Sequence, residues 1–131
     1  MAYSIGTLTI QDWQMKSFLF SRFTYDQVVN ESIDKKEILI KNIKVFYSIR
    51  FQGLTLAQKN LLIYYIKFYY QEAGYIVLST DHPNIENNYI YQTVTIPSTI
   101  NFFHSPDDVQ ITENEDRRFD VSFQGYVLEV I

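Results

Sequence analysis

The sequence predicts an α+β domain, an antiparallel β-rich sheet or sandwich packed with one long α-helix, on three observations. First, a seven-residue phrase occurs twice, as Tyr47-Ser48-Ile49-Arg50-Phe51-Gln52-Gly53 and as Phe119-Asp120-Val121-Ser122-Phe123-Gln124-Gly125. Both copies read aromatic, polar, β-branched, polar, Phe, Gln, Gly, the period-2 alternation of a strand with one buried face. Second, a single segment carries convincing helix signals at both ends. Third, eleven Tyr, ten Phe and one Trp make the chain 17% aromatic, and Tyr and Phe favour strands.

Taken in order, Ser4 to Ile10 alternates and reads as a short strand with Gly6 at a bulge. Trp13 to Phe20 mixes Trp13, Met15, Phe18, Leu19 and Phe20 with polar residues and reads as a strand or extended arm. Tyr25 to Val29 is a further short strand, and Asn30 to Lys36 is a polar turn. Glu37 to Phe51 is a long, β-branched, half-buried strand. It sets Ile43, Val45, Tyr47, Ile49 and Phe51 on one face, with Asn42, Lys44, Phe46, Ser48 and Arg50 on the other.

Gly53-Leu54 ends that strand, and Thr55 with Gln58 three residues on forms a capping box, in which the hydroxyl accepts from the third amide and Gln reaches back. Gly74 supplies the left-handed position at the far end. Within the helix, Ala57, Leu61, Tyr65 and Phe68 form a stripe widened by Leu62 and Tyr69; Lys59, Ile63, Ile66 and Tyr70 occupy the reverse. A helix lying on a sheet ordinarily has a polar back, and this one is apolar nearly all round. The expectation is that one stripe enters the subunit's own core while Ile63, Ile66 and Tyr70 meet another chain or the N-terminal arm, whose Trp13, Phe18 and Phe20 are the other candidate interface residues.

Beyond Gly74, Tyr75 to Ser79 reads as a buried strand, Thr80 to Asn88 as a loop, and Tyr89 to Ile96 as a strand that Pro97 ends or places at an edge. Asn101 to Asp108 reads as a loop, Val109 to Thr112 as weakly extended, and Glu113 to Arg118 as a charged hairpin-type turn into the second copy of the phrase. With 131 residues, a single domain over 1–131 is expected, residues 1–22 forming an extended arm or edge-strand region.

Composition narrows the function classes. Eleven basic residues against fifteen acidic give a net charge of −4, and no basic stripe appears, so nucleic acid is not an expected partner. The chain has no cysteine, which excludes disulfides and thiolate metal sites. Met1 to Ile10 lacks the pattern of a secretory signal, and no charge-free apolar run is long enough to predict a membrane span.

Site chemistry is sparse. Asp81-His82 could form half of a metal or acid–base pair, but loop histidines beside Pro are ordinarily solvated; His82 and His104 show no ligand spacing. Asp107-Asp108 and Glu113-Asn114-Glu115-Asp116 cluster oxygens without the spacing of a calcium loop. No G-x-S-x-G, phosphate-cradling loop or Cys nucleophile is present. No catalytic, cofactor-binding or metal residue is therefore predicted, nor any cofactor, and the chain is not expected to be an enzyme.

From Phe46 to Ile131 the chain resembles small minor tail or baseplate proteins of tailed bacteriophages. The resemblance rests on Tyr47 to Gly53 running into Leu54-Thr55, an apolar helix ending at Gly74, an aromatic strand, and a close on Phe119-Asp120-Val121-Ser122-Phe123 with Glu129-Val130 near the end. It implies a non-enzymatic subunit that packs in a ring or on a tail-tip hub, made in the host cytoplasm and residing in the virion tail. Its implied partners are other tail or baseplate proteins, in a homo- or hetero-oligomer. The contrasting expectation is a small-ligand or carbohydrate-binding β module using Trp13 and exposed Tyr residues as stacking platforms.

Overall fold

The computed structural model describes residues 3–88, 98–104 and 109–129. These form a mostly antiparallel sheet with one 18-residue helical run. The strands are β1 (Tyr3–Ile5), β2 (Leu8–Ile10), β3 (Met15–Glu31), β4 (Lys36–Leu54), β5 (Ile76–Thr80), β6 (Ser98–His104), β7 (Gln110–Glu113) and β8 (Phe119–Glu129). They make one sheet in the order β2-β1-β5-β6-β8-β4-β3, with β7 also pairing β8.

The two copies of the repeated phrase are each other's antiparallel partners, each flanked by strands on both sides: Tyr47 faces Gly125, Ile49 faces Phe123 and Phe51 faces Val121. Their alternation is what buries them. Val45, Tyr47 and Ile49 are fully buried, and Phe51, Val121 and Phe123 nearly so. The phrase ends in Gly twice for different reasons. Gly53 has φ +62, a left-handed conformation that side chains resist, whereas at Gly125 a Cβ would stand 2.4 Å from the Phe103 carbonyl oxygen of β6.

The capping box forms, with the Gln58 amide donating to Thr55 Oγ1 and the Thr55 amide to Gln58 Oε1, and Gly74 takes the left-handed position at φ 79. Between them the run comprises α1 (Leu56–Tyr64), a π-helical turn (Tyr65–Tyr69) and α2 (Tyr70–Ala73). The buried stripe is shifted from the one expected. Leu62 and Tyr65 join the core and Leu61 and Tyr69 pack against it, as the sequence predicts, but Ile66 from the reverse face is buried with them, while Ala57 and Phe68, placed in the core by the sequence, are exposed. A helix apolar on every side has no polar back to fix its phase, so the sequence leaves the buried stripe ambiguous. In the π turn the Tyr70 amide bonds the Tyr65 carbonyl, five residues back, which keeps Tyr69 and Tyr70 on the core side. The Ile66 carbonyl instead accepts from Nε2–H of the buried His104, at 2.9 Å.

Other elements correct the sequence reading. Ser4 to Ile10 is a hairpin, not one bulged strand: Ile5 pairs with Leu8 across a Gly6-Thr7 turn. The short strand at Tyr25–Val29 is part of the single strand β3, which contains Phe18 and Phe20, and the polar turn narrows to Ser32–Lys35. Trp13 belongs to a 3-10 turn, Asp12–Gln14. The expected loop Thr80–Asn88 contains helix α3 (Pro83–Asn88), anchored by the fully buried Ile85; Pro suits a first helical position because its missing N–H has no partner to lose there. The expected loop from Asn101 begins within β6, where Ile100, Phe102 and His104 point inward. The strand expected at Tyr89–Ile96 and the pair Asp107-Asp108 lie outside the described residues. Glu113–Arg118 is the expected charged turn, closed by Asn114 Oδ1 accepting from the Asp116 and Arg118 amides.

Candidate interaction surfaces

The expected interface residues separate into two groups. Phe18 is 1% exposed and Ile66 8%; both are filled by the chain's own core, a correction to their expected place against a partner. Phe18 is held between Tyr3, Tyr47 and His82 rings. Tyr70 lies against the His104 ring at 3.9 Å and Ile63 is half-buried. Trp13 and Phe20 are exposed. On the helix the large exposed apolar residues are Leu56, Tyr64 and Phe68, with the Tyr64 and Phe68 rings 6.2 Å apart.

A further set of exposed apolar residues is one the sequence did not single out. β3 and β4 are the longest strands among the described residues, and the described β4–β8 register begins at Ile43–Glu129. From Asp26–Lys41 to Glu31–Lys36 the two strands pair only with each other among the described residues. They form a two-stranded ribbon about 20 Å long at roughly 3.4 Å per residue. Two-stranded ribbons alone are marginal in water. This one exposes Tyr25, Val28, Val29, Ile38 and Leu39 and carries Ile33 at its tip, fully exposed. Residues directly opposite share a face, so the pair Val29–Ile38 lies on one side and Val28–Leu39 on the other. Each side therefore carries exposed apolar residues among polar ones, Val28–Leu39 between Asp26–Lys41 and Asn30–Glu37, and Val29–Ile38 beside Glu31–Lys36.

A bulge marks where the ribbon leaves the sheet. Thr24 pairs with Lys44 but Asp26 with Lys41, so β4 carries an extra residue there; Asn42 adopts φ 52 and donates through Nδ2 to Asp26 Oδ2 at 2.8 Å. Asn tolerates the left-handed region better than most residues, so the sequence supplies a residue suited to redirecting the strand. The alternation of Ile38, Ile40 and Ile43 around a lone Asn is the signal from which the bulge could have been read.

On the sheet face opposite the core, aromatic rings cross the strands in a row. Phe46 stands 5.3 Å from Tyr126, Tyr126 stacks on Phe103 at 5.1 Å and 11°, and Phe103 meets Tyr75 at 6.1 Å. Arg22 covers Phe46 at 3.9 Å and Lys44 lies 4.9 Å from the Tyr126 ring centre. The ring faces are thus largely occupied by one another and by cations. Trp13 is similarly engaged, with Arg118 5.6 Å from its ring and the Gly53 backbone beneath it. Lower on the same face a recess of about 230 Å³ is lined by Lys16, Arg50, Thr112, Asp120 and Ser122.

Of the titratable loop pair, His82 stacks on Phe18 at 5.1 Å, and its Nδ1 accepts from the Asn84 amide at 3.2 Å. Burial lowers its pKa, against the opposing pull of Asp81. Its geometry is that of a neutral ring tying α3 to the core. Among the described residues no three His, Asp or Glu side chains gather where they could hold a metal ion, and no helix is long and apolar enough to cross a membrane.

No protein-family model matches the chain, and no curated protein is significantly similar to it.

Proposed function

We infer that this protein is a non-enzymatic assembly subunit, a structural component of a bacteriophage tail tip or baseplate that works by protein–protein contact. In this reading the long helix closes the core against the sheet and the ribbon reaches into neighbouring subunits, in a homo- or hetero-oligomer within the virion tail. The observation that carries it is the projecting ribbon. A two-stranded arm with apolar side chains on both faces and an isoleucine at its tip stabilises itself poorly in water, and contact with another protein would bury those faces. Apolar surface of this kind characterises interaction sites, and subunit interfaces are enriched in aromatic residues. The tail assignment rests on the sequence resemblance over Phe46 to Ile131. The carbohydrate-binding alternative is supported less, because sugar stacking needs free ring faces, and on the outer face Phe103 stacks on Tyr126 while Phe46 packs tilted against it.

Two measurements test this. Genes for tape-measure, tail-tube or fibre proteins beside the coding sequence, and recovery of the chain in purified virions by mass spectrometry, are expected; a neighbourhood of metabolic genes and absence from particles would overturn the tail assignment. Mass photometry of the purified subunit and particles would then give its copy number.

A further inference from the structure

We propose that the chain pairs with a second copy of itself edge to edge through β3, the two strands running antiparallel about a twofold axis at Thr24. The proposal deepens the assembly reading by naming one partner, and rests on that reading. Among the described residues β3 pairs only with β4, and along Arg22 to Glu31 no described residue pairs with its other edge, whose backbone N–H and C=O groups are the template for adding a strand. The bulge at the Phe20/Arg22 step lies on β3: Phe20 pairs with Tyr47 and Arg22 with Phe46, which leaves Ser21 as the extra residue. At the Thr24/Asp26 step the extra residue is on β4. The strand from Arg22 to Glu31 is therefore regular along the edge it presents.

Its charges select the partner and the register. Along this edge the cation Arg22 precedes the anions Asp26 and Glu31. An antiparallel neighbour of the same sequence brings opposite signs together, as a self-complementary twofold contact requires. A twofold axis normal to the sheet keeps each face on its own side, so paired residues must be an even number of positions apart. With the axis on Thr24, Arg22 of each copy lies opposite Asp26 of the other, and Phe23 lies opposite Tyr25. Arg22 lies against Phe46 of the outer face, and Asp26 is opposite Lys41 on that same face, so the two charges meet on one side of the joined sheet. Phe23 and Tyr25, each 46% exposed and already stacked on each other at 6.2 Å, meet on the other side. Moving the axis to Asp26 would set that carboxylate against its own copy, and like charges directly opposite are destabilising. The pairing stops at Ser21, where the bulge turns the edge away, so it joins two copies without recruiting the rest of β3.

Purified full-length chain is predicted to sediment as a concentration-dependent dimer. Arg22→Asp and Asp26→Arg, each setting like charges opposite one another, should raise the dimer dissociation constant at least about tenfold, and the double exchange Arg22→Asp/Asp26→Arg should restore it. Circular dichroism confirms that each variant is folded. A second measurement does not depend on the charges. The chain contains no cysteine, and directly opposite Cα atoms lie about 4.5–5.5 Å apart, within disulfide reach. Thr24→Cys is therefore expected to cross-link to its own copy on mild oxidation, with Val28→Cys doing so much less. A chain monomeric at all concentrations, a double exchange that fails to restore pairing, or equal cross-linking at positions 24 and 28 would each overturn the proposal. A monomer that nevertheless enters virions would overturn it while leaving the assembly reading standing; a dimer absent from virions would do the reverse to the tail assignment.

Discussion

Gln14 and Gln58 exchange side-chain amide hydrogen bonds in both directions, at 2.8 and 2.9 Å. Gln14 is 2% exposed, and its Nε2 also donates to the Gly53 carbonyl while its Oε1 accepts from the Gln11 amide. Gln58 reaches the Thr9 carbonyl and completes the helix cap. One amide pair thus joins the first hairpin, the 3-10 turn, the end of β4 and the start of the helix.

Removing either partner takes one hydrogen bond from each end of the other's side-chain amide, which matters most for the buried Gln14. Gln14→Ala is expected to cost about 1–3 kcal/mol in denaturant unfolding. Gln58→Ala should cost a similar amount and also lose the cap. The double variant should cost less than the sum of the two, a coupling that a double-mutant cycle measures directly; strict additivity would show that the pair does not act as a unit.

The two glycines that close the repeated phrase should respond differently to the same substitution. Gly53→Ala forces a left-handed alanine and brings its Cβ to 2.7 Å from the Trp13 ring, so a loss of about 1–3 kcal/mol is expected. Because Trp13 is the only tryptophan, its fluorescence should change even where the fold survives. Gly125→Ala meets the Phe103 carbonyl, a backbone atom that cannot swing aside. It should destabilise more and leave the Trp13 emission of the remaining folded protein unaltered.

The helix offers a paired test of which face is inside. Ile66 is 8% exposed and Phe68 59%. Ile66→Asp buries an uncompensated charge and should unfold the chain or nearly so, whereas Phe68→Asp should leave the thermal midpoint within a few degrees of the parent. Leu62→Ala, at a fully buried position, should cost about 2–5 kcal/mol through the cavity it leaves. Equal effects of the two Asp variants in thermal melts would contradict the observed stripe.

These contrasts also show what the sequence conveys. β4 and β8 were legible because their alternation is strict and their outward residues are mostly polar. β6 was not, because both faces are apolar: Phe102 points into the core while its neighbour Phe103 stacks on Tyr126, and adjacent aromatics erase the period. The helix ends were legible from Thr55, Gln58 and Gly74, each of which makes a local backbone contact. The helix phase was not, since only tertiary contacts distinguish Ile66 from Phe68. The ribbon's separate strands, Tyr25–Val29 and the start of β4, could be seen, but that they pair with each other depends on contacts distant in sequence, a nonlocal fact.

Stability should depend on pH through His82. Its pKa is lowered in the fold by burial, so the unfolded chain takes up the proton first. The stabilisation from a neutral His82 is present above the ordinary histidine value of about 6.5 and is lost as pH falls through that value toward the lowered native one. The urea midpoint of the parent should therefore drop between pH 7.5 and 5.5 by more than that of His82→Gln. Identical drops would assign the pH dependence to other groups.

The ribbon can be removed without touching the core. Asp26 and Lys41 are direct partners, so replacing residues 27–40 by Asn-Gly joins a paired couple through a two-residue loop of the kind that suits tight hairpins. The excised residues are exposed apart from the half-buried Ile40, and among the described residues their strand pairing is confined to the ribbon itself. The shortened chain is expected to keep the parent's far-ultraviolet spectrum and an unfolding free energy within about 1 kcal/mol, since little buried surface is lost. It retains Arg22, Thr24 and Asp26, so self-pairing through β3 should persist while incorporation into larger assemblies fails. A shortened chain that still incorporates would move the assembly contact from the ribbon to the helix face around Tyr64 and Phe68, and one that cannot fold would show that the ribbon stabilises the sheet from which it extends.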